Sequence, residues 1–237
     1  MNGKSRRGYQ RTSHQQGLFT SMARALNPTQ SDILKPTSRK LKKNSLLFQE
    51  GDTVSHVYEV ITGTLKTTKT LFDGRQQVIG FFNGGDVIGL PLVSEAYYST
   101  EAVTASFLNS YPISQLEELM ENSAVAAKAI IALVHEDSVE HMDHMVSLGR
   151  RRPAERVASF LLKWQNDLAE KSEGTALVEL PMSRIDIADY LGLTQETVCR
   201  VLSKFRQEGL ISRPEGHRVN VRNYAMLSAL ADDGVLH

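Results

Sequence analysis

The sequence predicts an α+β chain in three successive parts: an N-terminal small β-sandwich, barrel or jelly roll (the roll), a long self-pairing helix and a C-terminal winged helix-turn-helix. Three observations predict it. Turn signals recur every ten to twelve residues between Gly51 and Asp86, the spacing of short antiparallel strands. From Met120 to Leu148 the seam positions return at alternating intervals of four and three, a heptad pattern. Around Gly192 two short helical patterns follow one another, opened by Ser183 and Thr194, the layout of a helix-turn-helix. The expected divisions are a flexible basic tail over 1–26, the roll over 27–116, the helix over 117–149 and the winged helix-turn-helix over 150–237.

Composition sets the outer limits. The 237 residues carry 27 Lys+Arg and 27 Asp+Glu, with 41% hydrophobic and 23% charged residues, which is ordinary for a globular chain. A collagen, a wholly disordered chain and a helical membrane bundle are excluded, because no stretch approaches the roughly 20 apolar residues of a spanning helix. The lone Cys199 excludes an internal disulfide framework and a Cys-rich zinc module, and suits a reducing cytoplasm. Zero net charge argues against nucleic-acid binding only if charge is evenly spread. Residues 1–43 hold ten basic residues and one acidic, 44–150 five and fourteen, and 151–237 twelve of each. Such asymmetry marks segments with different jobs. The first 26 residues hold no acidic residue and no apolar period. They read as a basic arm, with a faint likeness to a transit peptide and without the apolar core of a secretory signal.

Within the roll, Val57-Tyr58-Glu59-Val60-Ile61, Leu65-Lys66-Thr67-Thr68 and Gln77-Val78-Ile79-Gly80-Phe81-Phe82 are runs with β-branched and aromatic residues, parted by Gly63 and Asp73-Gly74. The helical seam is Met120, Ala124, Ala127, Ile131, Val134, Ser138, His141, Met145 and Leu148. Its length favours self-pairing over packing on its own domain, with Ile131, Val134, Met145 and Leu148 as dimerisation residues and Ser138 and His141 as weak points. His141 and His144 share a face. Neither an HExxH pattern nor a Cys accompanies them, so they read as surface histidines and no metal is expected.

Arg150-Arg151-Arg152-Pro153 ends the seam. Pro153 suits the first turn of a helix with Val157, Phe160, Leu161, Trp164 and Leu168 on one face. A short extended piece, 176–180, follows. Ser183 caps the next helix, with Ile187, Ala188 and Leu191 inward. Gly192 turns the chain, and Thr194 caps a second helix that buries Val198, Val201, Leu202 and Phe205 and ends at Gly209. Residues 210–213 and 217–221, around Pro214-Glu215-Gly216, read as a two-stranded wing. The outer face of the second helix carries Gln195, Glu196, Cys199, Arg200, Ser203, Lys204 and Arg206. In a major groove the N-terminal residues of such a helix meet base edges. Arg200 suits guanine O6 and N7, and Glu196 suits a cytosine amino group, although the macrodipole alone also favours Glu in a first turn. Gln195 and Cys199 flank them. Thr194, Ser203, Lys204, Arg206, Arg213 and Arg218 are placed for the DNA backbone. Between Arg184 and Arg222 stand seven basic and five acidic residues, so layout rather than charge carries the expectation of DNA binding.

From about Asn27 onward the chain resembles the Crp/Fnr transcription regulators. The strongest likeness runs from Ile185 to Leu202 and spans the whole helix-turn-helix; a lesser one lies in the roll at Gly51-Asp52, Gly63 and Gly84-Gly85-Asp86-Val87-Ile88-Gly89. The resemblance implies an N-terminal β-roll, a long dimerisation helix and a C-terminal winged helix-turn-helix, in a cytoplasmic homodimer that binds double-stranded DNA, is no enzyme, and touches RNA polymerase through roll loops near Asp73 or Glu95. The family's recognition helix carries Glu-x-x-Ser-Arg. Glu196 and Arg200 match it and become base readers, while Cys199 replaces the serine. The implied target resembles TTGAT, four spacer pairs, ATCAA. Cyclic-nucleotide-binding members follow the roll glycine with Glu and later place Arg on the phosphate. Here Leu90-Pro91 follows Gly89, and Ser99-Thr100-Glu101 stands where the cation belongs. A missing cation and an added Glu101 repel a phosphate. One cysteine cannot hold an iron–sulfur cluster. What remains is similar to the FixK type, which has no bound effector or cofactor and activates genes of low-oxygen respiration and nitrogen fixation. Cys199 is then either a small surface residue or a redox switch beside Arg200. Two alternatives are a cyclic-nucleotide-responsive member of the family and a cupin-like metalloenzyme. The second is short of ligands, since His56 is the only histidine between residues 44 and 120.

Overall fold

The computed structural model describes residues 34–90, 95–169, 177–212 and 218–232. The expected tail over 1–26 and the wing turn at Pro214-Glu215-Gly216 lie outside the described residues. Strands β1 (Thr37–Leu41), β2 (Leu46–Phe48), β3 (His56–Thr62), β4 (Thr64–Thr70), β5 (Gln76–Asn83), β6 (Val87–Ile88), β7 (Ser99–Ala102) and β8 (Ser106–Pro112) build the roll. They form two four-stranded sheets, ordered β1-β8-β3-β6 and β2-β7-β4-β5. Leu41, Leu47, Tyr58, Val60, Leu65, Ile88, Ala102 and Leu108 form a core drawn from both sheets. Gly63 joins β3 to β4 at φ +95°, and a Cβ there would stand 2.2 Å from Ser106 Oγ and 2.7 Å from the Ala105 carbonyl oxygen. Only glycine fits this turn.

Two helices follow where one was expected. Helices α1 (Ile113–Asn122) and α2 (Ala124–Arg150) meet at Ser123, whose backbone is extended and whose hydroxyl accepts from the Ala126 amide. The helix over 117–149 is therefore corrected to 124–150, and Met120 belongs to α1 rather than to the seam. A serine N-cap restarts a helix without disturbing apolar spacing, which is why the period crossed the break. Leu116 and Leu119 of α1 and Ala126 and Ile130 of α2 pack with Val57 and Tyr111 on the β3–β8 side of the roll.

The rest of the chain is α3 (Pro153–Ala169), β9 (Leu177–Glu179), α4 (Arg184–Leu191), α5 (Gln195–Gln207), β10 (Arg218–Asn220) and α6 (Tyr224–Asp232). Strand β10 pairs with β9. The described part of the expected wing is narrower than a hairpin: a bridge between Ile211 and Val221, and the Ser212 amide donating to the Asn220 carbonyl at 2.7 Å. One apolar cluster holds this half together, including Val157, Leu161, Trp164, Ile187, Val198, Leu202 and Phe205, and it also takes in Val78 and Val103 of the roll. The two halves thus share a core, and the helix-turn-helix is set against the roll by packing as well as by the chain.

Candidate nucleic-acid interface

Three local devices shape the helix-turn-helix. At the start of α4 the Ser183 hydroxyl accepts from the Asp186 amide at 3.0 Å, and the Asp186 carboxylate accepts from the Ser183 amide at 2.9 Å, a reciprocal capping box. Gly192 ends α4 at φ 61°, ψ 41°, the left-handed region where a side chain is strained. Thr194 opens α5, its hydroxyl accepting from the Thr197 amide at 3.2 Å. A cap of this kind contributes about 1 kcal/mol.

Helix α5 buries Val198, Val201, Leu202 and Phe205. At about 100° per residue, Glu196, Arg200 and Ser203 stand opposite that core, with Gln195, Cys199 and Arg206 to one side and Lys204 to the other. All seven are exposed. Glu196 lies in the first turn and Lys204 and Arg206 in the last, the order that the helix dipole favours. Thr194 is exposed, but its hydroxyl already serves as the cap. Lys204 lies 3.7 Å from Glu208, and Arg218 lies 3.7 Å from Glu179. Surface pairs like these are weak enough for a phosphate to displace. Arg213 is outside the described residues.

Sequence reasoning passed over three side chains here. Gln207 is exposed and follows Ser203 by one turn, a spacing that was there to be read. Arg184 is half-buried at the start of α4, where burial pulls its guanidinium below the ordinary value and the nearby Cys199 acts the other way. Arg156 donates to the carbonyls of Leu148 (2.6 Å), Leu191 (2.9 Å) and Arg151 (2.9 Å), tying the end of α2 to the turn before the recognition helix. No local pattern marks it.

On α2, Ile131 and Met145 are exposed, together with Met142 and Val146. Val134 and Leu148 are half-buried, and a Cβ on Gly192 would come 3.2 Å from Leu148. Leu148 is thus occupied by its own chain. The exposed stripe keeps 124, 131 and 145 but replaces 127, 134, 141 and 148 by 128, 135, 142 and 149. Spacing alone does not say which of two neighbouring stripes the intramolecular contacts consume.

His144 is not the surface histidine it resembled. Its ring stacks on Tyr190 at 4.1 Å and 12°. Burial pushes its pKa down to about 4, with Lys163 and His141 acting in the same direction and Tyr190 and Glu140 against it. The unfolded chain protonates this ring near pH 6.5 and the folded chain resists until about pH 4. Stability from this group is therefore lost as pH falls through that window. Thermal melts of the wild type should weaken from pH 7 to pH 4.5, and His144→Phe should show a shallower decline. Equal slopes would refute the assignment.

Inside the roll, Thr100 and Ala102 are buried, whereas Glu101 alternates to the other face of β7. The expected repulsion by Glu101 is corrected accordingly. The acid that the roll does bury is Glu59, which accepts from the Tyr111 hydroxyl at 3.1 Å. Burial, then the Glu59 charge, pushes the Tyr111 phenol up. Leu90 packs on the apolar cluster of Val57 and Tyr111. Among the described residues no group of three or more His, Cys, Asp or Glu is placed to hold a metal ion, and no helix is long and apolar enough to cross a membrane.

Known proteins share this arrangement. Residues 155–230 match the Crp-like helix-turn-helix domain and residues 38–123 the cyclic nucleotide-binding domain. The chain is 36% identical over 185 residues to the nitrogen fixation regulation protein FixK of Bradyrhizobium diazoefficiens, covering 78% of each chain. It is 32% identical over 202 residues to the transcriptional activator protein anr of Pseudomonas aeruginosa, covering 84% of this chain and 82% of that one. The structure of FixK2 from Bradyrhizobium japonicum superposes with a TM-score of 0.78 at 33% identity, over 83% of this chain and 98% of that one. These relatives are regulators rather than enzymes, which removes the cupin-like metalloenzyme. The chain belongs to the Crp/Fnr family of transcription regulators and is of the FixK type.

Proposed function

We propose that the chain is a cytoplasmic homodimeric activator that binds a palindrome like TTGAT-N4-ATCAA without a small-molecule effector, and controls genes of low-oxygen respiration or nitrogen fixation. The observation that carries this reading is the exposed outer face of α5, with Glu196 and Arg200 one turn apart opposite the buried side. Arg200 donates to guanine and Glu196 accepts from cytosine, flanked by Gln195 and Cys199. Ser203, Lys204, Arg206 and Arg218 hold phosphates, and Thr194 keeps the helix N-terminus in shape. Two copies joined along α2 set the recognition helices about 34 Å apart, one turn of DNA. The β4–β5 tip, with Phe72 wholly exposed beside Leu71 and the Asp73–Arg75 pair, is the polymerase-facing loop in this reading.

The test is a gel-shift titration on the palindrome and on a half-site-scrambled duplex, at two salt concentrations, with and without cyclic AMP. The palindrome should bind more tightly, and cyclic AMP should change nothing. Equal binding to both duplexes would sink specific reading. Dependence on cyclic AMP would favour the ligand-responsive alternative, which the match to the cyclic nucleotide-binding domain keeps in view.

Cys199 is exposed on the reading face. Peroxide converts its thiolate to the sulfenic acid with loss of hydroxide, and a second equivalent gives the sulfinate. That places negative charge against DNA phosphate. Peroxide should weaken DNA binding by the wild type and spare Cys199→Ser. Equal losses would rule out the switch.

A further inference from the structure

Several contacts join the roll to the DNA-reading head away from the outer face of α5. Lys66 of β4 pairs with Asp186 of α4 at 2.6 Å, each side chain 15% exposed. Gln77 of β5 donates its amide to the carbonyls of Asp189 and Tyr190. Phe81 of β5 lies among Phe160, Trp164 and Tyr190, with ring centroids 6.3, 5.8 and 5.4 Å away. Tyr190 also carries the stacked His144 of α2. Burial pushes the Asp186 carboxyl up, but hydrogen bonds from Lys66 and Ser183 outweigh it and hold the group below its ordinary value. The Asp186 carboxyl is therefore ionised at neutral pH. All these contacts fall on α3 and α4, behind the recognition helix, and the outer face of α5 stays exposed.

We propose that β4 and β5 act as a built-in clamp, with Lys66, Gln77 and Phe81 as positioning residues that hold α4, and through it the recognition helix, in the DNA-binding orientation with no ligand required. The inference rests on the effector-free reading above. Apolar packing such as that of Phe81 tolerates sliding and rotation, whereas an ion pair and an amide on two successive carbonyls are directional. A partly buried ion pair adds little net stability, because desolvation offsets attraction. What Lys66 and Gln77 contribute is orientation. A head correctly oriented only about a third of the time binds about threefold more weakly, and a dimer with two such heads about tenfold.

The experiment uses the full-length dimer. Wild type, Lys66→Met, Lys66→Arg, Gln77→Ala and Phe81→Ala are titrated on the palindrome and on scrambled DNA at two salt concentrations, with melting temperature and sedimentation as checks of fold and dimer. Trp164 is the only tryptophan, and Phe81 meets it edge-on, so its emission reports whether the roll is docked. Lys66→Met and Gln77→Ala should stay folded and dimeric, lose about tenfold in palindrome affinity and shift Trp164 emission to the red. Their salt slope should be unchanged, because no phosphate contact is lost. Lys66→Arg should retain affinity. If Phe81→Ala fails to fold, the two polar variants decide the matter. Unchanged affinity in folded variants overturns the clamp, as does tighter binding, which would make the contact inhibitory. A salt slope reduced by about two, one for each protomer, overturns it too, since Lys66 would then be a phosphate contact. A wild type that treats both duplexes alike sinks the functional reading and the clamp together, whereas a specific wild type with folded variants of unchanged palindrome affinity sinks the clamp alone.

Discussion

Arg200→Ala is expected to cost about 1–3 kcal/mol in each half-site, and therefore about 2–6 kcal/mol on the palindrome, a loss between about thirtyfold and about twenty-thousand-fold. The loss should be selective. A bidentate Arg rejects the wrong base because its two donors match guanine O6 and N7 and nothing else on the groove edge. Without it, duplexes altered at the guanine should bind as well as the parent. Arg200→Lys keeps the charge but not the planar fork, so it should recover affinity more than discrimination. Lys204→Ala is the contrasting control, weakening all duplexes alike and lowering the palindrome's salt slope by about two, one for each half-site. The fold should not register the change, because Arg200 is exposed while Val198, Val201 and Leu202 make the contacts to the core. If Arg200→Ala weakens palindrome and scrambled duplex by the same factor, Arg200 is a backbone contact and base reading belongs elsewhere on α5.

The helix-turn-helix was legible because each of its boundaries is a local chemical device: Ser183 and Asp186, then Gly192, then Thr194. The roll was legible for a similar reason, since Gly63 is demanded by a turn no other residue fits. What escaped depends on contacts distant in sequence. Lys66 and Asp186 are separated by 120 residues, and neither has a neighbour that marks it as paired. The direction of Glu101 depends on strand parity, which flips with a one-residue shift in where β7 begins. His144 looked like a solvated histidine because the stacking surface of Tyr190 arrives from another helix. The break at Ser123 was hidden by an apolar period that continues across it.

The second large effect concerns the free stripe of α2, and it separates two seams that differ by one residue. Heptad spacing puts Val134 and Leu148 with Ile131 and Met145 in the dimer contact. The structure leaves Ile131, Met142, Met145 and Val146 exposed and seats Leu148 beside Gly192 of its own head. Met142→Asp with Met145→Asp should therefore give a monomer, sedimenting at 26.4 kDa rather than twice that mass. Four buried carboxylates in a twofold contact are desolvated and mutually repelling. A specific dimer binds its site at about 10⁻⁸–10⁻¹¹ M. A monomer keeps one half-site and so about half of that free energy, which places it near 10⁻⁴–10⁻⁵ M. Palindrome and half-site duplexes should then bind alike, because nothing couples the two heads. Leu148→Asp should behave differently. The dimer should persist, while the head, deprived of the packing beside Gly192, should lose DNA affinity and melt earlier. Were Leu148→Asp to yield monomers while the Met142 and Met145 substitutions left the dimer intact, the contact would run along the stripe that spacing alone predicts, and α2 would have to rotate about its axis on pairing.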